Sequence, residues 1–337
     1  MHIFRRTRQV LLPLLLSATL LTPVAVAAGH DAPSGIDVAS WQGNIDWATV
    51  NNSQDFAFVK ATEGIGYQNP QYAQDIQQAK DNGLTVGAYH YARPGTDPVA
   101  QAAEFAAAYK AHPQDLPPVM DLEQTDGLAP EQLQEWTRTF LGETERLTGR
   151  KPMVYTYRYF WQQDMANTTE FSHYPLWFAA YQNDVPDSLP GGWEQMAFWQ
   201  RTGEGSVTGV DTPVDVNLFN GTPNQLTSFN GSYGGVLAPG EVVATDGNLG
   251  MSNKEIVAAL LAMAGAIGIL PADQAGALAQ QAAGAAGLEA GVADALGGMV
   301  KDLGGDLPVQ DLQAMATGDY TVGDLLLLLN AAGHQAP

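Results

Sequence analysis

The chain has 337 residues, of which 45% are hydrophobic, and its 15 basic and 36 acidic residues give a net charge of −21 at pH 7. A charge this negative argues against nucleic acids and anionic membranes as electrostatic partners. The chain contains no cysteine, which excludes disulfides and thiolate metal sites, so a stable domain needs a large apolar core.

The N-terminus has the pattern of a secretory signal peptide. Three arginines within the first eight residues precede an apolar run, Val10–Leu21, and small residues up to Ala28 follow it. The run is short for a transmembrane helix of about 20 residues. We therefore expect residues 1–28 to be removed and the protein to be secreted, without membrane association afterwards; an uncleaved anchor is the alternative. Cleavage leaves 12 basic and 36 acidic residues, a net charge of −24.

Residues 34–221 alternate strand-like and helix-like segments. Helical patterns cover residues 69–82, 97–110 and 130–147, and the last two have proline in their first turn. Strand patterns cover residues 35–38, 56–60, 85–91, 118–122, 152–156, 176–180, 196–200 and 215–218.

This alternation predicts an α/β fold with a mainly parallel sheet and crossover helices. Eight strands in fewer than 200 residues favour a TIM-like barrel that keeps helices only in its first half. An open, doubly wound sheet is the alternative.

The remaining residues differ in composition from the first part. Residues 222–248 are rich in Gly, Ser, Asn and Thr, which is typical of a linker. Residues 249–337 are rich in Ala, Gly and Leu, and a capping box at Ser252–Glu255 precedes an apolar run that ends before Pro271. We predict a small all-α domain of three to five helices. Tyr320 is its only aromatic residue, which argues against sugar stacking there. This domain could bind a protein, a lipid-like wall component or a second copy of itself. A role as a stabilising appendage is equally compatible with its sequence.

Two acids, Asp121 and Glu123, end the fourth predicted strand. Side chains two apart on a strand share a face, roughly 6–7 Å apart along the backbone. Two carboxyls at that separation repel each other as anions, and one of them retains a proton. A protonated acid beside an ionised one is what glycoside hydrolysis requires. A solvated strand end is the alternative interpretation.

Polar or aromatic residues stand at the ends of the other predicted strands too, which indicates one convergent mouth. Three acids, Asp37, Glu123 and Asp215, have apolar or aromatic neighbours, and burial would raise their pKa as a general acid needs. His90 is expected to be hydrogen-bonded scaffold, and the six scattered histidines predict no metal site. Core packing is the alternative role for each aromatic. The further candidates for substrate binding are Lys60, Glu63, Tyr91, Tyr155, Trp177, Tyr181, Trp199 and Asn217.

Seven segments, in order, resemble the motifs of glycoside hydrolase family 25 lysozymes, over about residues 34–221. They are G-I-D-V-A-S-W-Q from residue 35, F-V-K-A-T-E-G from 58, G-A-Y-H-Y-A-R-P from 87, M-D-L-E from 120, W-F-A-A-Y from 177, A-F-W-Q from 197 and V-D-V-N from 214.

The resemblance implies a flattened barrel of eight strands and about five helices, acting without cofactor as an N-acetylmuramidase on peptidoglycan glycan strands. It implies that Glu123 is the general acid and that Asp121 orients the substrate N-acetyl group or stabilises positive charge. Asp37 and Asp215 would supply further carboxylates. Substrate assistance and inversion by a held water both stay open.

Two rival functions are also compatible with the sequence. A chitinase-like hydrolase would cleave N-acetylglucosamine polymers, and a wall-binding protein would have lost catalysis. The intact set of four acids argues against the second. We expect an extracellular protein, associated with the cell wall or free.

Overall fold

A computed structural model of the protein describes residues 32–112, 114–231, 235–241, 243, 253–264, 271–304 and 306–334. The predicted signal peptide and Ser252 of the predicted capping box lie outside these residues. Among the helices of the described residues, none is both long and apolar enough to cross a membrane.

In the described part of the chain, nine strands form one closed sheet in the order β1-β9-β8-β7-β6-β5-β4-β2-β3, and β1 also pairs with β2. Eight strands therefore make the barrel, and the short β3 extends β2 outside it. The strands are β1 (Ser34–Val38), β2 (Phe56–Glu63), β3 (Tyr67–Gln68), β4 (Thr85–Tyr91), β5 (Val119–Asp121), β6 (Met153–Tyr157), β7 (Leu176–Ala179), β8 (Phe198–Gly205) and β9 (Val214–Phe219).

The predicted barrel is confirmed, and all eight predicted strands are present with small shifts at their ends. The short strand β3 was not predicted, because its two residues are exposed and carry no apolar pattern. The strand β9 pairs antiparallel with both β8 and β1. A parallel pair needs a crossover of a dozen or more residues. Only residues 206–213 separate β8 from β9, so the chain must turn straight back.

Among the described residues, six helices accompany the barrel, and the three predicted ones are α2, α3 and α4. Each of these three begins or ends within a few residues of its predicted bounds. The six helices are α1 (Trp47–Val50), α2 (Tyr72–Asp81), α3 (Pro98–Ala111), α4 (Pro130–Thr148), α5 (Arg158–Gln163) and α6 (Pro223–Thr227), with a 3-10 turn at Ser40–Gln42. The expectation that helices occur only in the first half of the barrel is wrong, because a short helix of six residues, Arg158–Gln163, fits within the connection between β6 and β7.

Alternation along each strand separates an aromatic interior from an apolar outer layer. Inside the barrel, the ring of Phe58 stacks on Trp177 with centroids 4.4 Å apart and meets Phe198 edge-on at 5.1 Å. Gly87 on β4 leaves room for this cluster, since a Cβ there would lie 2.5 Å from the Phe58 ring. The interior is thus filled below the mouth, and only the carboxyl ends of the parallel strands are left for a site.

Five further helices follow in the described part of the chain, in agreement with the predicted helical composition: α7 (Lys254–Ala264), α8 (Ala272–Ala285), α9 (Ala290–Leu303), α10 (Val309–Thr317) and α11 (Val322–Gly333). A reciprocal capping box starts α11, because Thr321 Oγ1 accepts from the Asp324 amide and Asp324 Oδ2 accepts from the Thr321 amide. The helices α7 to α11 form the helical region, and within it α11 contacts both α9 and α5, so it lies between α9 and the barrel. The proposed boundaries of the linker and the helical domain stay predictions.

Candidate active site

Four carboxyl groups meet at one end of the barrel. Asp37 is near the end of β1, Asp121 ends β5, and Glu123 lies two residues farther on. Asp215 is Asp37's direct neighbour across the antiparallel pair. Because β9 runs opposite to the others, Asp215 reaches this mouth from the amino end of its strand. All four line a cavity of about 80 Å³.

Burial favours the protonated forms of the Asp121 and Glu123 side chains. Their exposed fractions are 7% and 8%. Desolvation raises the pKa of Glu123 to about 7, although a hydrogen bond with Asp121 opposes the shift. Desolvation and then the charge of Glu123 raise the pKa of Asp121 well above its usual range. The two carboxyls therefore share at least one proton near neutral pH, as a general acid requires.

Asp37 is held by two amides. Asn217 Nδ2 donates to it at 2.7 Å and Gln200 Nε2 at 3.0 Å. Burial raises the pKa of Asp37 to about 6, and these two hydrogen bonds oppose the shift because they favour the ionised form. Asp215 accepts a hydrogen bond from the Tyr181 hydroxyl at 3.2 Å. Burial, followed by the charge of Asp37, raises the pKa of Asp215 well above its usual range.

Aromatic side chains wall the cavity. Tyr155 meets Trp177 edge-on with centroids 4.9 Å apart, and the Tyr155 hydroxyl donates to Gln200 Oε1 at 2.8 Å. Aromatic walls with a few fixed polar groups are typical of sites for amphipathic ligands such as sugars. Of the predicted binding residues, the structure places Lys60, Tyr91, Tyr155, Trp177 and Tyr181 in the lining.

Three predicted binding residues lie outside this lining. Trp199 points away because it alternates with Phe198 and Gln200, and its Nε1 donates to the Ala180 carbonyl at 2.8 Å. Asn217 is fully buried and accepts from Trp177 Nε1 at 2.8 Å, so it positions Trp177 and Asp37. Glu63 binds Lys60 Nζ at 2.5 Å and so holds that buried cation beside the cavity.

Sequence reasoning left other lining residues out of the predicted set. Tyr89 could have been found, because it lies two residues before Tyr91 on the same strand face. Gln200 could have been found by the same alternation, since it is the residue next to Trp199 in A-F-W-Q. Trp41, 74% exposed, lies at the rim of the mouth and offers a flat face to solvent.

His90 is scaffold, as expected. It is fully buried. Its Nδ1 lies 2.8 Å from Thr62 Oγ1 and its Nε2 lies 2.8 Å from Gln101 Oε1. Burial lowers the pKa of His90 to about 4, so the ring is neutral at physiological pH. Among the described residues, no group of three or more His, Asp or Glu side chains is arranged to hold a metal ion.

Comparison with known proteins identifies the family. A family model described as Glycosyl hydrolases family 25 matches residues 36–210 of the 337-residue chain, which is more than half of it. The chain belongs to this family. The resemblance inferred from the seven motifs is confirmed, and the protein is a glycoside hydrolase.

Both curated sequences and solved structures resemble this family 25 hydrolase. Lysozyme M1 of Streptomyces globisporus is 33% identical over 207 residues, covering 58% of this chain and 70% of that protein. An N,O-diacetylmuramidase of Chalaropsis is 30% identical, covering 57% of this chain and 96% of that protein. The crystal structure of a lysozyme from Streptomyces coelicolor superposes with a TM-score of 0.57 at 31% identity, covering 60% of this chain and 99% of that one.

Proposed function

We propose that this family 25 hydrolase cleaves the β-1,4 bond between N-acetylmuramic acid and N-acetylglucosamine in peptidoglycan. The observation that carries the proposal is the pair of buried carboxyls, Asp121 and Glu123, sharing a proton beside the carboxyls of Asp37 and Asp215. The names of the relatives, lysozyme and N,O-diacetylmuramidase, support the substrate class. The signal-like N-terminus supports action outside the cell, on glycan strands of the wall.

In this proposal Glu123 protonates the glycosidic oxygen as the bond breaks. Its raised pKa keeps the proton available near neutral pH. Asp121 either orients the N-acetyl group of the substrate or stabilises positive charge at the reacting carbon. Asp37, which its two amides favour in the ionised form, is suited to stabilise positive charge or to hold a water. The tyrosine and tryptophan walls, with Trp41 at the rim, would stack on sugar rings.

The test replaces the proposed proton donor. Glu123→Gln keeps the shape but removes the transferable proton, so release of reducing ends from purified peptidoglycan should fall by about 10²–10⁴-fold. Glu145→Gln makes the same change on the exposed surface of α4 and should leave the rate unchanged. Near wild-type turnover by Glu123→Gln would overturn the assignment.

The substrate is tested separately. The wild-type protein should release disaccharide fragments from peptidoglycan, identified by mass spectrometry, faster than it cleaves N-acetylglucosamine oligomers. Faster cleavage of the oligomers would favour the chitinase-like alternative.

A further inference from the structure

The end of helix α11 lies over the barrel mouth. Asn330 and His334 line the same cavity of about 80 Å³ as the four carboxyls. The ring of His334 lies 5.4 Å from the ring of Tyr91, one of the proposed sugar-binding walls. Side chains from the helical region thus occupy space directly above the candidate site.

Polar contacts hold this end of the helix in place. Gln124 Nε2 donates to the Ala331 carbonyl at 2.5 Å, and Arg93 donates to the His334 carbonyl at 3.4 Å. The last carbonyls of a helix lack partners within the helix, and a nearby cation favours its C-terminus. Gln124 directly follows Glu123, so the proposed proton donor and the contact belong to one short segment of the barrel.

The other end of α11 packs closely against the opposite side of the mouth. Gly323 lies against the backbone of Tyr181, and a Cβ at position 323 would overlap the Tyr181 carbonyl oxygen. Just before the helix, the Tyr320 ring meets Tyr159 edge-on at 5.1 Å, and its hydroxyl accepts from Gln163 at 2.9 Å. The helix therefore crosses the mouth and is held on both sides.

The space left under α11 is too small for a sugar. Pockets that bind small molecules typically have about 300–1,000 Å³, whereas the cavity bounded by all four carboxyls has about 80 Å³. A second cavity of about 500 Å³ lies between the barrel and the helical region. Of the four carboxyl groups, the one that lines this second cavity is that of Glu123. A sugar bound there would not reach Asp37 or Asp215.

That second cavity also lacks a partner for an anionic sugar. Its acidic lining comes from both sides of the contact, and the described residues that line it include no Lys, Arg or His to pair with the carboxyl of N-acetylmuramic acid. Lining acids besides Glu123 are Asp164, Asp302, Asp306 and Asp311.

We propose that α11 is an intramolecular inhibitor, which blocks the barrel mouth until the helical region moves away. The inference rests on the proposed function, because the mouth is the proposed glycan site. In the docked state a glycan strand is excluded. Release of α11 exposes the four carboxyls and their aromatic walls together.

The first test pushes α11 off the barrel. Gly323→Val places a side chain where the Tyr181 backbone lies, so the peptidoglycan-solubilising kcat/KM of the full chain should rise at least tenfold. Gly298→Val makes the same substitution within α9, where a Cβ meets nothing within 4 Å, and should leave the rate unchanged. Circular dichroism and a cooperative melt establish that each variant is folded.

The second test needs neither a clash nor turnover. Asn330→Ala/His334→Ala, made in the inactive Glu123→Gln chain, removes the side chains that lie over the mouth. Titration calorimetry with a soluble N-acetylglucosamine–N-acetylmuramic acid tetrasaccharide should show at least tenfold tighter binding than Glu123→Gln alone. This double variant decides the matter if Gly323→Val does not fold.

The outcomes separate the two proposals. Unchanged turnover and binding in folded variants overturn the inhibitor, and weaker binding does so too, because α11 would then be a wall of the binding site. If Asn330→Ala/His334→Ala tightens binding but Gly323→Val shows no turnover, the inhibitor is supported and the proposed function is overturned. If the wild-type protein is active and neither set of substitutions changes turnover or binding, the inhibitor alone is overturned.

Discussion

Asp37 and Asp215 face each other across paired strands, yet their hydrogen-bond donors differ. Two amides donate to Asp37, whereas one tyrosine hydroxyl donates to Asp215. Both acids are buried, but the amides stabilise the ionised form of Asp37 and keep its pKa at about 6. Asp37 is therefore the acid of this pair that ionises first and is better suited to meet positive charge at the reacting carbon.

The activity should depend on pH through Asp37 and Glu123. We expect kcat/KM to rise as Asp37 loses its proton through about pH 6 and to fall as Glu123 loses its proton through about pH 7. Asn217→Ala removes one donor, which raises the pKa of Asp37 and moves the acidic limb to higher pH. Rates on peptidoglycan across pH check this, and an unshifted acidic limb would contradict it.

The buried Glu123 should also make the fold less stable as pH rises. Its pKa is about 7 in the folded protein against an ordinary value of 4.5, so between these values the native state binds more protons than the unfolded state. The free energy of unfolding therefore falls as pH rises through this window, by up to about 3 kcal/mol. As pH rises, urea titrations should show that Glu123→Gln gains in unfolding free energy relative to the wild-type protein. A difference in unfolding free energy between the two proteins that stays constant across pH would contradict this.

At the scale of elements, the carboxyl ends of the strands and one reversed strand build the site together. Alternation sends Asp121 and Glu123 to the interior and leaves Leu122, which is fully buried, on the outer side. The antiparallel strand β9 then adds Asp215 beside Asp37 from the opposite chain direction. A fully parallel barrel would place position 215 at the closed end.

Close packing within the barrel gives a prediction for the strand β4. In Gly87→Ala the new methyl group would lie 2.5 Å from the Phe58 ring, which in turn stacks on Trp177 beneath the cavity. Overpacking of this kind costs about 1–3 kcal/mol. Gly142→Ala on α4 meets nothing within 4 Å and should instead stabilise the helix by about 1 kcal/mol. Urea unfolding distinguishes the two, and equal effects would contradict the packing argument.

At the scale of the whole molecule, charge opposes the proposed substrate. The mature chain is expected to carry −24, and the residues from 249 onward contribute nine acids and two lysines. Affinity for an anionic wall must then come from stacking and hydrogen bonds rather than from long-range attraction.

Salt should consequently strengthen wall binding. The screening length is about 8 Å at physiological ionic strength, so repulsion between the protein and the wall weakens as salt is added. Co-sedimentation of Glu123→Gln with purified walls should increase from low to physiological salt. A steep decrease would show that a local basic surface governs binding.

The sequence by itself determined the features that depend on neighbours along the chain. Strand patterns, helix starts such as Pro98 and Pro130, and the shared face of Asp121 and Glu123 follow from local spacing and backbone preference. The ordered motifs were enough to identify the family. The His90 scaffold role was expected from the same local pattern.

The tertiary structure alone decided which of these residues meet. Trp199 lies on the outer face of its strand, whereas Asn217 points inward but is fully buried, where it contacts Asp37 and Trp177 rather than the cavity. The antiparallel direction of β9 follows from a short connection. The docking of α11 is the clearest case, since Gln124 and Ala331 are 207 residues apart in the chain. Such a contact depends on matching shapes and hydrogen-bonding groups of two folded surfaces, and no local pattern in either segment encodes it.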